Sequence, residues 1–312
     1  MARARKKVRI RWGRIFSVLI FIGIFIVGLF NVVQYVEETF IAVNQPLKKA
    51  EANHSFKGEQ IQSKTEPINV LLLGNDSRGE DQARTDTIMV AHYNPETNKV
   101  KLISFMRDIY VSIPDHKQQK LNAAYTLGGP DLLRETIKEN FGLDIHYYAT
   151  IDFQGFQKAV DLLAPNGIEV DVPYEMTAGI GMTLEKGTQA LHGEELLGYV
   201  RFRQDRLSDF GRVQRQQEVI SKLKEEAISM NSIANLPDLL NLLHTYVDTN
   251  LETSTLLKIG KDLLMENSNE IKSLRIPEDG SFENKRYDGV GEVLDVHFQH
   301  NKETIAEFLQ DI

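Results

Sequence analysis

The sequence lacks cysteine, so disulfide bonds and thiolate metal sites are excluded. It also lacks a Walker or dinucleotide glycine pattern and a Gly-x-Ser-x-Gly elbow. Its eight histidines do not have the spacing of a metal site. No local signature of nucleotide binding, of an elbow serine or of a histidine-bound metal is therefore present, and function has to be sought in the charged residues.

Charge is absent from residues 15–36, and no acidic side chain precedes that stretch. The stretch follows residues 1–14, which carry seven Lys or Arg and are predicted to be a cytoplasmic basic segment. As a helix, residues 15–36 would span about 33 Å, which is enough for a bilayer. No small-residue cleavage site follows, so an uncleaved transmembrane signal-anchor is predicted. The chain is then a single-pass type II protein of the cell membrane, with its C-terminal part outside the cytoplasm.

Acidic residues dominate the chain beyond the predicted anchor. This part holds 44 acidic and 29 basic side chains, a net charge of −15, and a nucleic-acid surface would instead be basic. Residues 37–67 are largely polar and aperiodic, which is typical of a stalk. Residues 68–312 are numerous enough to form one sizeable domain around its own core.

Helical and extended patterns alternate within this domain. The pattern predicts an α/β fold with a mixed central sheet and helices on both faces, an α-β-α sandwich preceded by the transmembrane helix. Strands are expected at 68–74, 85–94, 99–108, 144–152, 168–172, 271–276 and 292–298. Helices are expected at 122–140 (interrupted near Gly128), 153–163, 191–200, 212–230, within an all-helical segment 232–268, and up to 309.

A four-residue loop of residues 95–98 fixes the pairing of the two strands that it joins. If Asn94 pairs with Lys99, Asp86 lies opposite Arg107, with Cβ atoms about 5 Å apart. Asp76 follows the neighbouring buried strand, at the sheet end where α/β folds place ligands. The two carboxylates would form an oxygen site for Mg²⁺. The alternatives are a surface turn at Asp76 and a cross-strand salt bridge of Asp86 with no further role.

Basic and amide side chains form a second group in the segment YVRFRQDRLSDFGRVQRQQ. Arg201 and Arg203 share a face if that stretch is extended, and Arg212 and Gln216 are neighbours on one face of the following helix. Ser208 or Asp209 is expected to cap this helix, whose N-terminus favours anions.

Arginines are therefore concentrated near the sheet of an acidic domain. A buried guanidinium without a partner is destabilising, and a phosphate group in bidentate contact would compensate for it. The alternative is that the arginines of the YVRFRQDRLSDFGRVQRQQ segment pair with acidic residues on the surface. The arginines expected near the sheet are Arg84, Arg107, Arg201, Arg203 and Arg212. The prediction is one pocket with an apolar tunnel behind it, shared by Asp76, Asp86, Arg107, Arg201 or Arg203, and Arg212.

Four ordered blocks of the chain, from about residue 68 to residue 230, resemble the LytR-CpsA-Psr family. They are LLLGNDSRGEDQARTDTIMV, SFMRDIYV, KLNAAYTLGG and YVRFRQDRLSDFGRVQRQQ. Within the family, the chain is similar to the teichoic-acid transferases of Gram-positive bacteria. An N-terminal anchor followed by a stalk agrees with the family's usual layout.

The resemblance implies an enzyme of the cell surface that transfers an anionic glycopolymer. The donor would be linked to undecaprenyl pyrophosphate, and the acceptor would be the C6 hydroxyl of N-acetylmuramic acid in peptidoglycan. By motif position, Asp76 and Asp86 are the implied Mg²⁺ ligands, and they act together with Arg107 as the implied catalytic residues. The implied pyrophosphate contacts are Arg84, Arg107, Arg201, Arg203, Arg212 and Gln216.

Two other functions remain open at this point. One is a polyprenyl-pyrophosphate hydrolase, in which water replaces the sugar hydroxyl. The other is a membrane-anchored regulator of cell-envelope gene expression without enzymatic activity. The acidic charge of the domain disfavours direct contact of such a regulator with nucleic acid.

Overall fold

The computed structural model of the chain describes residues 56–75, 85–229, 236–265 and 271–310. The strands are β1 Ile68–Asn75, β2 Thr85–Asn94, β3 Lys99–Phe105, β4 Tyr110–Val111, β5 Gln119–Lys120, β6 Tyr147–Asp152, β7 Ile168–Val172, β8 Gly187–Leu191, β9 Val247–Thr249, β10 Lys272–Ile276, β11 Phe282–Tyr287 and β12 Gly291–Val296. The helices are α1 Leu121–Phe141, α2 Phe153–Leu163, α3 Gly193–Arg201, α4 Asp209–Ser229, α5 Leu236–Tyr246, α6 Thr253–Met265 and α7 Phe298–Gln310.

The main sheet has the strand order β10-β3-β2-β1-β6-β9 and contains both parallel and antiparallel pairs. The mixed α/β architecture expected from the sequence is confirmed. Strand β1 runs through the middle of the sheet as a continuous apolar segment, as a strand covered on both faces requires.

The hairpin of β2 and β3 has the predicted register. Asn94 pairs with Lys99, and the ladder continues to Ile88 opposite Phe105. Asn98, in the connecting loop, adopts a positive φ of 57°, a conformation that asparagine tolerates better than most residues. The short loop thus sets the alignment of both strands up to the point where the charged residues begin.

Helices cover both faces of this sheet. On one face, apolar residues of β1, β2 and β3 form the main core with Leu133 and Ile137 of α1 and Ile305 of α7. On the other face, Met89 and Leu102 pack with Ile220 of α4. Because side chains alternate across a strand, Thr87 lies on the same face as Met89 and therefore also faces α4.

Several elements differ from the sequence-based expectation. Residues 232–268 were expected to be all-helical, but β9 separates α5 from α6 and pairs with β6, and three residues are too few to show an alternating pattern. Strand β11 was not predicted, because its sequence FENKRY is largely exposed and lacks an apolar alternation. The interruption predicted near Gly128 is confirmed, since Gly128 and Gly129 are non-helical within α1.

The segment that precedes β1 packs on the folded body. The Phe56 ring lies 4.9 Å from the Tyr148 ring, and Glu59 N donates to the Ile145 carbonyl over 3.0 Å. Residues 56–67, which the sequence assigned to the stalk, therefore lie against the domain. Among the described residues, no helix is both long and apolar enough to cross a membrane. The anchor predicted at residues 15–36 lies outside them.

Candidate active site

The candidate site begins where the β2–β3 hairpin ends. Arg107 follows β3, and its Nη1 donates a hydrogen bond to Oδ1 of Asp86 on β2. The same guanidinium contacts Asp108, with Nε and Oδ2 3.2 Å apart. The opposition of Asp86 and Arg107 that the loop length predicts is thus seen in their side-chain contact, beyond the last paired residues of the ladder.

Asp209, the first residue of α4, joins three arginines. Its Oδ2 lies 3.3 Å from Arg107 Nη2, and its Oδ1 lies 3.2 Å from Arg212 Nη1 and 3.7 Å from Arg203 Nη1. The Arg212 side chain is 4% exposed, whereas that of Arg203 is 40% exposed. One carboxylate thus serves as counter-charge to a buried arginine, a partly buried one and a solvent-accessible one.

A cavity of about 150 Å³, which we call the arginine pocket, lies between the sheet and α4. Gln216 donates from Nε2 to Thr87 Oγ1 over 3.0 Å, which links the helix to the sheet beside the cavity. Gly74 also lines it, and a Cβ there would lie 3.0 Å from Thr87 Cβ, so a side chain would crowd the cavity floor. The lining residues are Gly74, Asp86, Thr87, Phe153, Ala178, Gly179, Arg201, Arg203, Gln204, Arg212 and Gln216.

Arg201 reaches this pocket by a different route from the one expected. It is the last residue of α3 rather than part of an extended segment, and the chain becomes extended only at Phe202. Its guanidinium lies over the Phe153 ring, 4.5 Å from the ring centre. The expectation that Arg201 and Arg203 share one face of an extended stretch is wrong, although both residues line the pocket.

The structure brings most of the predicted site residues together. Asp86, Arg201, Arg203, Arg212 and Gln216 line one cavity. Arg107 adjoins that cavity through its contact with Asp86. Asp76 and Arg84, the other two predicted residues, lie outside the described residues.

The electrostatics of the pocket favour an anionic ligand. Burial lowers the pKa of Arg212, and the nearby Asp209 only partly opposes this effect. Burial also raises the pKa of Asp209, with Asp108 acting in the same direction. Within the described part of the chain, Arg212 Nε is buried and has no hydrogen-bond partner. A bound anion would stabilise the charged form of Arg212, and phosphate oxygens are suited to paired contacts with guanidinium groups.

The side-chain oxygen atoms where β1 ends and β2 begins are of the type that binds hard cations such as Mg²⁺. Asp86 supplies a carboxylate, and Asn75, opposite Thr85 in the ladder, has a buried Oδ1 without a hydrogen-bond partner among the described residues. Mg²⁺ is commonly held by one or two carboxylates and several water molecules. Over the described ranges, no three His, Asp or Glu side chains are grouped closely enough to hold a metal. The Mg²⁺ site predicted at Asp76 and Asp86 stays a prediction.

Sequence reasoning missed Asp108 and the central position of Asp209. Asp108 contacts both Arg107 and Lys120, with Lys120 Nζ 2.7 Å from Asp108 Oδ1. Asp209 was considered only as a helix cap. Its position three residues before Arg212 on a helix was the available signal, because residues at this spacing are neighbours on the helix surface.

Residues 31–306 match the LytR_cpsA_psr family. The chain belongs to the LytR-CpsA-Psr family. The resemblance found in the four sequence blocks is thereby confirmed, and the matched range includes the described residues of the arginine pocket.

Two curated relatives within this family differ in the function that their names describe. The chain is 41% identical over 244 residues to regulatory protein MsrR of Staphylococcus aureus, which covers 78% of this chain and 75% of MsrR. It is 36% identical over 284 residues to polyisoprenyl-teichoic acid–peptidoglycan teichoic acid transferase TagU of Bacillus anthracis, covering 88% of this chain and 90% of TagU.

Among solved structures of the LytR-CpsA-Psr family, YwtF (TagT) with bound octaprenyl pyrophosphate lipid has a TM-score of 0.60 to this chain at 25% identity. The match covers 85% of this chain and 98% of that one. The TagT structure therefore matches this fold over nearly its whole length.

Proposed function

We propose that the chain transfers an anionic glycopolymer, such as a teichoic acid, from an undecaprenyl-pyrophosphate carrier to peptidoglycan. The proposal rests on the arginine pocket. Within the described residues, the buried Arg212 has an Nε without a hydrogen-bond partner. Arg212 also shares its counter-charge, Asp209, with Arg107 and Arg203. The similarity to TagU supports the reaction, and the lipid bound by TagT supports a prenyl pyrophosphate as the donor group.

The pyrophosphate is assigned to the arginine pocket. Arg212 and Arg203 neutralise its charge from the α4 side, and Arg107 lies next to Asp86, which lines the same cavity. Gln216 offers an amide beside the same cavity. Preorganised cationic donors of this kind stabilise the charge that develops on the leaving phosphate during transfer. Of the residues outside the described ranges, Asp76 and Arg84 are proposed to complete the site.

The reaction is a displacement at the phosphorus that carries the polymer. The acceptor hydroxyl oxygen forms the new bond, and the bond to the bridging oxygen of the pyrophosphate breaks. Polyprenyl phosphate leaves with that electron pair, and the hydroxyl proton passes to a base. When bound at Asp86 and Asp76, Mg²⁺ would neutralise charge on the pyrophosphate. No ATP is required, because the pyrophosphate bond is already activated.

Incubation of the purified domain with prenyl-pyrophosphate-linked polymer and glycan strands separates transfer from hydrolysis. A transferase is expected to move most of the consumed polymer onto the strands and to depend on both substrates. Consumption of the donor at the same rate without strands, with release of phosphorylated polymer, would indicate a hydrolase instead.

Regulation without catalysis is the second candidate, because the MsrR relatives are named regulatory proteins. The acidic charge of the domain disfavours direct nucleic-acid contact. A cell that carries a folded, transfer-inactive Arg107→Ala protein distinguishes regulation through transfer from regulation without catalysis. If the chain acts by transfer, effects on envelope gene expression are expected to disappear together with polymer attachment.

The location of the domain follows from the anchor predicted at residues 15–36. The basic segment at residues 1–14 lies in the cytoplasm, and the arginine pocket faces the cell wall. Protease added to intact protoplasts is therefore expected to remove the domain. Full protection of the domain until the membrane is dissolved would contradict this orientation.

A further inference from the structure

A second cavity lies on the other side of Arg107. This hairpin cleft has a volume of about 550 Å³ and is bounded by Arg107, the start of α4 and the β11–β12 hairpin. We infer that the hairpin cleft binds the sugar backbone of the glycan acceptor, whose hydroxyl and N-acetyl groups carry no charge. The inference rests on the proposed transfer reaction and adds the location and the chemistry of the acceptor site.

The two cavities share a thin wall of ion-paired side chains. Arg107 and Asp209 line the hairpin cleft, and their partners Asp86 and Arg212 line the arginine pocket. Arg107 Nη2 and Asp209 Oδ2 are 3.3 Å apart within this wall. A group that enters the cleft at Arg107 therefore lies beside the arginine pocket, at its border with the proposed pyrophosphate site.

Phosphoryl transfer places the attacking and the leaving oxygens roughly in line on opposite sides of the phosphorus. With the leaving polyprenyl phosphate held in the arginine pocket, an acceptor in the hairpin cleft approaches from the side of Arg107. The hairpin cleft opens on that side and, at about 550 Å³, falls within the size range of ligand sites.

The charges of the cleft are already paired within the protein. Lys120 contacts Asp108 at 2.7 Å, and Lys285 contacts Asp295 at 2.5 Å. Arg286 lies 3.8 Å from Glu292 on the neighbouring strand. A second polyanion would have to compete with these carboxylates. An uncharged ligand with hydroxyl and amide groups would not.

The same cleft offers the contacts that sugars use. The Asn284 amide and the polar ends of the paired residues supply hydrogen-bond donors and acceptors, while the Phe210 ring and Leu294 supply apolar surface. Phe210 is held in place by stacking on Phe282, with ring centres 5.4 Å apart. Such a mixture of fixed apolar surface and a few polar groups is typical of small-molecule sites.

The hairpin is fixed to the segment that carries Arg107. Leu294 N donates to the Asp108 carbonyl over 3.0 Å, and Tyr287 stacks on Tyr110 with ring centres 4.5 Å apart. This contact also accounts for the polar exposed sequence of β11, because that strand forms a wall of the cleft and not part of the core. An acceptor bound to the hairpin would thus be held at a fixed position relative to Arg107.

The test measures binding of a labelled glycan fragment and, separately, the kinetics of transfer. Asn284→Trp is expected to fill the cleft, to weaken glycan binding at least tenfold and to raise the acceptor KM by a similar factor. The donor KM is expected to stay within twofold. Glu169→Trp, at an exposed position of β7, is the matched control and is expected to change neither quantity. Asn284→Ala is expected to raise the acceptor KM about threefold and serves if the tryptophan variant does not fold.

The possible results test the assignment of the cleft separately from the proposed transfer reaction. Glycan binding and acceptor KM that are unchanged in a folded Asn284→Trp protein would overturn the assignment, as would absence of glycan binding to the parent. A raised donor KM would also overturn it, because the cleft would then hold the polymer. Glycan binding that behaves as expected in a parent protein without transfer activity would support the cleft and reject the transfer reaction.

Discussion

Arg107→Ala is expected to lower the rate of polymer transfer by at least about 10²-fold while the domain remains folded. Arg107 contacts Asp86, Asp108 and Asp209 and lies between the arginine pocket and the hairpin cleft. Its removal takes away a fixed cation next to the proposed pyrophosphate site, and a loss of this size corresponds to about 2.7 kcal/mol of transition-state stabilisation. The measurement is the initial rate at saturating donor and acceptor.

Lys117→Ala is the control for Arg107→Ala, because Lys117 is an exposed cation outside both cavities. It is expected to retain the parent rate. Arg107→Lys keeps the charge but loses the forked geometry, so an intermediate rate is expected. A folded Arg107→Ala protein with a near-parental rate would remove Arg107 from the mechanism.

Asp209→Ala is expected to destabilise the domain by about 3–5 kcal/mol, because it leaves the buried Arg212 without its counter-charge. It also removes the carboxylate that separates Arg212 from Arg107 and Arg203. The free energy of unfolding from urea titration measures the effect. Addition of inorganic pyrophosphate is expected to recover part of the stability, since a ligand that binds only the folded state stabilises it.

The double variant Asp209→Ala, Arg212→Met is the matched control, because it removes the buried charge together with its partner. Its stability is expected to exceed that of Asp209→Ala, and pyrophosphate is expected to add little to it. A stability loss below about 1 kcal/mol for Asp209→Ala would show that Arg212 is compensated in another way.

The sequence predicted the hairpin more reliably than the arginine segment, for a physical reason. A short loop with Pro95 and Asn98 leaves little freedom in strand pairing, so the opposition of Asp86 and Arg107 could be counted from the loop. The sequence of residues 202–208, between α3 and α4, has no regular pattern. Their course depends on tertiary contacts such as that of Arg215 Nη1 with Asp205, at 2.8 Å.

Long-range contacts also account for the parts of the site that were missed. Asp209 becomes a shared counter-ion only because the start of α4 meets the end of β3, and no local spacing brings Arg107 to it. The hairpin cleft depends on β11, a polar strand without an apolar period. By contrast, the continuous apolar run of β1 and the β-rich sequence of β2 were sufficient to predict the centre of the sheet.

The fate of the donor phosphorus in ¹⁸O-labelled water shows directly whether a sugar hydroxyl or water attacks it. The purified domain is incubated with prenyl-pyrophosphate-linked polymer and glycan strands, and the products are followed by ³¹P NMR and mass spectrometry. Transfer to peptidoglycan is expected to form a phosphodiester between polymer and glycan that contains no ¹⁸O, in step with polyprenyl monophosphate. Phosphate groups that carry ¹⁸O, without a diester to the glycan, would show that water is the acceptor and would contradict transfer to peptidoglycan.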